Sequence, residues 1–401
     1  MPIVYLCIVF AVIVVLLALK RPLWQAICGG LLACAVAYRI PPSVICLSPY
    51  RVLSTWSSAQ VLLSIYMITY LQRMLEARSQ IRLAQRDLDG MFHNRRMNVI
   101  GATLFIGVLP SAAAMILCGD IVKEASEGHL RREEQAFITS WLRHIPESTL
   151  PTYSGVLLMS TLSGIKIPGF MLCMAVPLVF LTAIGYYPFV RRLPKDPGTP
   201  RSENRLRDAA SLLGHIWTLL LIIALILVFG IPVAPSVAIS VAIGLVVYRF
   251  RPSDCARMVV TAFEMRLLLN SFLVLVLKEF LAYTGVLQSL PEVLSALPIP
   301  TYMVFALLFF IGSVISGNAA TIAMGTTIAF AAIPDGGAPL MVLLMCFCHA
   351  AMQVSPTHVC LVVAAEYYGI SLGALIRKTL PRTLLFCVLA TAYYKILTLF
   401  I

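Results

Sequence analysis

HIPESTLPTYSGVLLMSTLSGI, His144 to Ile165, decides the fold, because the chain writes it a second time as HAAMQVSPTHVCLVVAAEYYGI, His349 to Ile370. The copies stand 205 positions apart and keep a histidine at the start, Pro151 or Pro356 followed by Thr152 or Thr357, and Gly-Ile at the end. Proline has no amide hydrogen and its ring collides with the preceding turn, so a helix entering either copy breaks there. In the first copy the break is expected between Thr149 and Thr152.

Two further matches lie upstream of each copy. AVAYRIPPS at 35–43 returns as LVVYRFRPS at 245–253, and SAQVLLSIYMITYLQRMLEA at 58–77 overlays EMRLLLNSFLVLVLKEFLAY at 264–283, at offsets of 210 and 206. Three matches in one order at nearly constant offset imply two homologous halves, 1–190 and 211–401. The polar stretch RRLPKDPGTPRSENRLRDAA, 191–210, reads as the linker between them.

The chain is 60% hydrophobic and 12% charged. Apolar runs of about 17 to 22 residues recur throughout, each enough to cross roughly 30 Å of hydrocarbon. The runs are continuous rather than alternating, which points to an all-α polytopic membrane protein and away from a barrel. Pro2 to Leu19 has no basic leader and no small-residue cleavage site, so it is expected to be a retained transmembrane helix. The 11 cysteines show no CxxC spacing and fit small apolar packing groups.

Each half divides into five spans and one interrupted short segment. The interrupted segments are 98–126, with LPSA at 109–112, and 301–333, with SGNA at 316–319. Neither arm of either segment is long enough to span, so each is expected to be a re-entrant hairpin. Five spans per half make the second repeat inverted relative to the first. With the amino terminus outside, 25 lysines and arginines fall in inside loops and four in outside loops, with Lys278 left within a helix. The net charge of +12 therefore reads as a topology signal of a cell inner membrane, with both termini outside and the linker cytoplasmic, and not as a nucleic-acid footprint.

In that topology the two prolines lie near the membrane midplane. Irregular backbone at that depth is tolerated only beside protein or a water-filled cavity, which is where transporters hold substrates and ions. Four half-helices begin around one centre, after Pro110-Ser111, Leu150-Pro151, Ser316-Gly317-Asn318 and Ser355-Pro356. Their free amides and positive dipole ends favour an anion. Ser148, Thr149, Thr152, Thr321, Gln353 and Thr357 add polar groups around the same centre, and freed carbonyls with side-chain oxygens suit a sodium ion. Glu147 is the sharpest candidate, since an intramembrane carboxylate can exchange a proton as its surroundings change. His358 comes next. Glu147 is weighed against a structural carboxylate bonded to His144, and His144 and His349 against packed histidines.

The signatures WLRHIPESTLPTYSG and MQVSPTHVCLVVAAEYYGISL resemble those of a prokaryotic integral-membrane family, the domain of unknown function 401 group of the ion-transporter superfamily. The resemblance covers nearly the whole chain. It implies an elevator mechanism in a homodimer, with hairpins and broken helices moving against a scaffold, and substrates among small organic anions such as those of gluconate permeases and dicarboxylate symporters. The first hairpin tip, LPSAAAM, departs from the glycine-rich tips of such relatives, which bears on a cation site there.

A cation-coupled secondary transporter without cofactor or metal is the expectation. A membrane-embedded enzyme using Glu147 and the histidines is the second reading, but the sequence carries no HExxH, GxSxG or paired-carboxylate motif. A channel or a non-transporting membrane partner is the third. ATP-driven transport is disfavoured by the lack of a GxxxxGK[ST] loop.

Overall fold

The structure, a computed structural model, describes residues 2–19, 21–80, 83, 84, 87, 94–108, 113–196, 205–289, 298–356 and 358–400. Among them every long regular element is a helix. The first half runs α1 (Pro2–Ala18), α2 (Leu23–Ala37), α3 (Pro42–Ser54), α4 (Trp56–Ala77), α5 (Arg95–Ile106), α6 (Ala113–Ser126), α7 (Arg132–Arg143), α8 (Ser154–Ser163), α9 (Ile167–Cys173) and α10 (Ala175–Tyr186). The second runs α11 (Arg205–Leu227), α12 (Val233–Val247), α13 (Pro252–Thr261), α14 (Met265–Thr284), α15 (Thr301–Ser316), α16 (Asn318–Ala332), α17 (Gly337–Met352), α18 (Val359–Tyr367) and α19 (Leu372–Leu397). The order is the same in both, except that one long helix, α19, stands where the first half has α9 and α10.

Punctuation residues set these bounds. Pro22, Pro41, Pro232 and Pro300 precede α2, α3, α12 and α15, where a missing amide hydrogen costs the helix nothing. Gly164 and Gly285 close α8 and α14 with φ of 76° and 67°, a left-handed cap that side chains resist. The short helices α3 and α13 were not anticipated. They fill the loops after the second helix of each half, where Arg51, Arg257 and Asp254 made a continuous apolar run impossible to read. The stretch taken as linker also yields at its end, since α11 already begins at Arg205.

The contacts between the halves are reciprocal. α2 packs on α14 while α12 packs on α4; α6 packs on α18 while α16 packs on α8. Each interrupted segment folds back on itself. In the second, Gly312 lies against Thr321 and Gly325 against Phe309, so α15 and α16 run antiparallel about Gly317. In the first, Ala102 and Ile106 of α5 cluster with Cys118 and Ile121 of α6.

Four described helices are long and apolar enough to cross a membrane singly, or six if the bent pairs α3–α4 and α8–α9 each count as one. With the 60% hydrophobic composition, this makes the chain an integral membrane protein. Pro334–Met352, which holds α17, is 83% buried, against 28% for the spans of α11 and α19. α17 is therefore the central post, and α11 and α19 turn their sides to lipid.

One close approach ties the first hairpin to the first break. A Cβ at Gly107 would overlap the backbone carbonyl of Arg143. Across the same contact the Tyr153 hydroxyl donates to Gly107 O at 2.5 Å, and Thr152 Oγ1 donates to Val108 O at 3.1 Å. Gly107→Ala is expected to destabilise the protein by about 1–3 kcal/mol, the usual range for overpacking, read as a lower melting temperature in detergent. Gly169→Ala, with nothing within 4 Å of the added carbon, should leave melting unchanged or slightly raised.

Candidate functional site

α7 ends at Arg143, a single tight turn covers Ile145–Ser148, and helix resumes only at Ser154. The expected break at Thr149–Thr152 falls inside this gap. In the second half α17 ends at Met352 and α18 starts at Val359, with Pro356 between them. Both prolines therefore sit in broken backbone, Pro151 buried and Pro356 exposed.

Three helices begin at this crossing without a side-chain cap: α8 after Tyr153, α16 after Gly317, and α18 after His358. Their first amide groups are left to other partners. Gly317 makes the second hairpin's turn with φ 84° and ψ 160°, a conformation that needs glycine.

A cavity of about 110 Å³ lies where the starts of α8 and α16 converge. Its walls are Glu147 and Ser148 of the first break, Tyr153, Ser154 and Gly155 at the head of α8, Asn318 and Ala319 at the head of α16, and the Met345, Cys348, His349, Met352 stripe of α17. The volume suits a small molecule, below the ~300–1,000 Å³ of drug-sized pockets. Asn318 Oδ1 and His349 Nδ1 are buried with no hydrogen-bond partner among the described residues. A buried polar atom left unmatched costs about 1–3 kcal/mol, so both atoms are available to bond a ligand.

Glu147 projects into the cavity with 24% of its side chain exposed, and its Oε2 lies 3.6 Å from Nη1 of Arg143, which is only 3% exposed. Arg143 Nη1 also lies 3.7 Å from Cys360 Sγ. Arg143 is one of the 25 basic residues that the charge count assigns to inside loops. It is instead inside the protein, because α7 carries it to the edge of the break, one turn before Glu147. The spacing of four residues between Arg143 and Glu147 was the available signal.

Next to the pair, His144 is fully buried. Its Nδ1 lies 2.5 Å from Ser140 O, its Nε2 3.9 Å from Glu147 Oε2, and the same Nε2 3.1 Å from Nε2 of His358. The two broken helices thus meet through their histidines.

The remaining sequence candidates are dispersed around this centre. Thr149 faces a separate apolar cavity of about 370 Å³ with Leu104 and Leu150. Thr152 lines a 90 Å³ cavity with Thr69, Gln72 and Glu264. Thr321 Oγ1 donates back to Gly317 O at 3.1 Å, and Ser355 Oγ donates to Val314 O at 2.8 Å. Gln353 accepts from Ser140 Oγ at 3.4 Å and donates to Trp141 O at 3.4 Å, a bridge between the halves. Pro110, Ser111 and Thr357 lie outside the described residues, as does the side chain of Ser316. Lys278, which the charge count leaves within a helix, donates to Thr161 O at 3.2 Å.

Of the cavity wall, sequence reasoning supplied Glu147, Ser148 and Asn318 and missed Tyr153, Ser154 and Cys348. His349, weighed in the sequence against a packed histidine, lines the cavity. The hairpin tip comes to His349 rather than the reverse, and the 345, 348/349, 352 spacing on one helical face was the sign.

No curated protein matches the sequence. Among solved structures the chain is similar to the Alcanivorax borkumensis YdaH transporter, a crystal structure with an unusual topology, at 14% identity and a TM-score of 0.58 over 87% of this chain and 89% of that one. That likeness is one of fold. The profile of a family described as protein of unknown function, DUF401, matches residues 3–397, and the chain belongs to that family.

Proposed function

We propose that the protein is a secondary transporter of a small organic anion, coupled to a cation gradient and working by alternating access. The observation that carries this reading is the cavity at the crossing of the broken helices, where two uncapped helix starts and two unpartnered polar atoms face one small space. Helix starts present amide donors and positive dipole ends, which suits a carboxylate. Glu147 and Arg143 balance each other's charge, so the amide donors are left for the substrate. The fold shared with the YdaH transporter supports transport over catalysis.

The reciprocal contacts of the halves favour inverted repeats, 1–190 and 211–401, around a cytoplasmic linker at 191–210. In this reading the hairpins, α8, α17 and α18 travel together as the mobile part of an elevator within a homodimer in the cell inner membrane. Glu147 carries the coupling proton or balances a sodium ion. Three outcomes test the proposal. Cysteines placed at Ser202 and Thr398, in a background without native cysteines, should label from opposite faces of intact cells, and labelling from one face would sink the inverted repeat.

Asn318→Ala removes the amide whose Oδ1 awaits a partner, so substrate binding to purified protein should weaken about tenfold, the worth of a 1.4 kcal/mol hydrogen bond. Unchanged binding would make the hairpin tip structural. In proteoliposomes offered a panel of labelled organic acids, Glu147→Gln should abolish gradient-driven accumulation while exchange at zero gradient continues. Surviving exchange also certifies that the variant folds. If the variant still concentrates substrate at the wild-type rate, the coupling group lies elsewhere.

A further inference from the structure

We propose that His144, His358 and Cys360 form a binding site for a borderline-soft divalent transition-metal ion such as zinc, beside the anion cavity and built from both halves of the chain. One ligating atom from each of the three residues lies within 4.8 Å of the others. Imidazole and thiol donors are the set that zinc and its neighbours select over magnesium or calcium.

The geometry goes beyond proximity. Zinc–nitrogen bonds of about 2.0–2.1 Å at a tetrahedral angle place two imidazole nitrogens about 3.3 Å apart, and the His144 and His358 Nε2 atoms stand 3.1 Å apart. Ligating histidines hold their ring by giving the other nitrogen's hydrogen to a carbonyl or carboxylate. His144 has that arrangement, with Nδ1 against Ser140 O at 2.5 Å, so the Nε2 lone pair is directed at His358. The ring is fully buried and fixed before any ion arrives.

Three protein ligands leave the fourth tetrahedral position open. Water or a small anion from the adjoining cavity would take it, since Glu147 Oε2, though 3.9 Å from His144 Nε2, stands outside the group of three. On binding, the metal–sulfur bond forms as the Cys360 thiol hydrogen leaves as a proton to solvent, with no change of oxidation state. Arg143 Nη1, 3.7 Å from Cys360 Sγ, stands beside the thiolate that this leaves.

Two routes test the site on the full-length protein in detergent, and neither needs transport, so the result stands apart from the anion-transport reading. Chelator-stripped protein dialysed against zinc should retain one ion per chain by atomic emission, and cobalt should give a thiolate charge-transfer band. Cys360→Ser should remove that band, and His358→Ala should weaken zinc at least tenfold, while Cys387→Ser changes neither. Without any substitution, zinc should protect Cys360 from alkylation, read by peptide mass spectrometry. Wild-type protein that retains no zinc, alkylation of Cys360 indifferent to zinc, or a cobalt band that survives Cys360→Ser in a variant of normal size-exclusion profile would overturn the proposal.

Discussion

Backbone that stops being helical inside an apolar bundle has to find hydrogen-bond partners in the protein, and the prolines at 151 and 356 create that demand twice. The first helix of each hairpin ends with the same demand, and side chains of the breaks meet it. Tyr153 and Thr152 of the first break bond to the carbonyls of Gly107 and Val108, and Ser355 of the second bonds to the carbonyl of Val314. The packing follows from these repairs: each hairpin lies beside its own break, and its returning helix lies on the broken helix of the other half. α17 is buried along its length because the second hairpin, α9, α19 and the turn at Ile145–Ser148 all pack on it.

The same breaks determine the electrostatics. A buried arginine–glutamate pair gains little net stability, because desolvation offsets most of the attraction, while removing one partner is costly. Arg143 and Glu147 are therefore best understood through position. They place two opposite charges within 3.6 Å at the mouth of a space otherwise governed by helix starts. The His144–His358 contact then joins the halves at one point, and Gln353 joins them at another through Ser140 and Trp141.

The sequence made the two breaks and the turn of the second hairpin legible because each is punctuated by a residue with a backbone consequence: Pro151, Pro356 and Gly317. Glu147 and Asn318 were legible as polar groups at those points. Arg143, His349 and Cys360 were not, since their importance comes from which helix faces meet after folding, and no local rule gives that pairing. Short apolar helices such as α3 and α13 were hidden for a different reason. Their composition lies between that of a span and that of a loop, and only packing on α4 settles their state.

Asn318 at the head of α16 and His349 on α17 face one cavity, so a ligand that bonds Oδ1 of the first and Nδ1 of the second couples the hairpin tip to the central post. By mass action a ligand that binds only the folded chain stabilises it by about 2.7 kcal/mol at a hundred times its dissociation constant. Thermal unfolding thus reports binding in this cavity: a compound that fits it raises the unfolding temperature, and it can be found before any flux is measured.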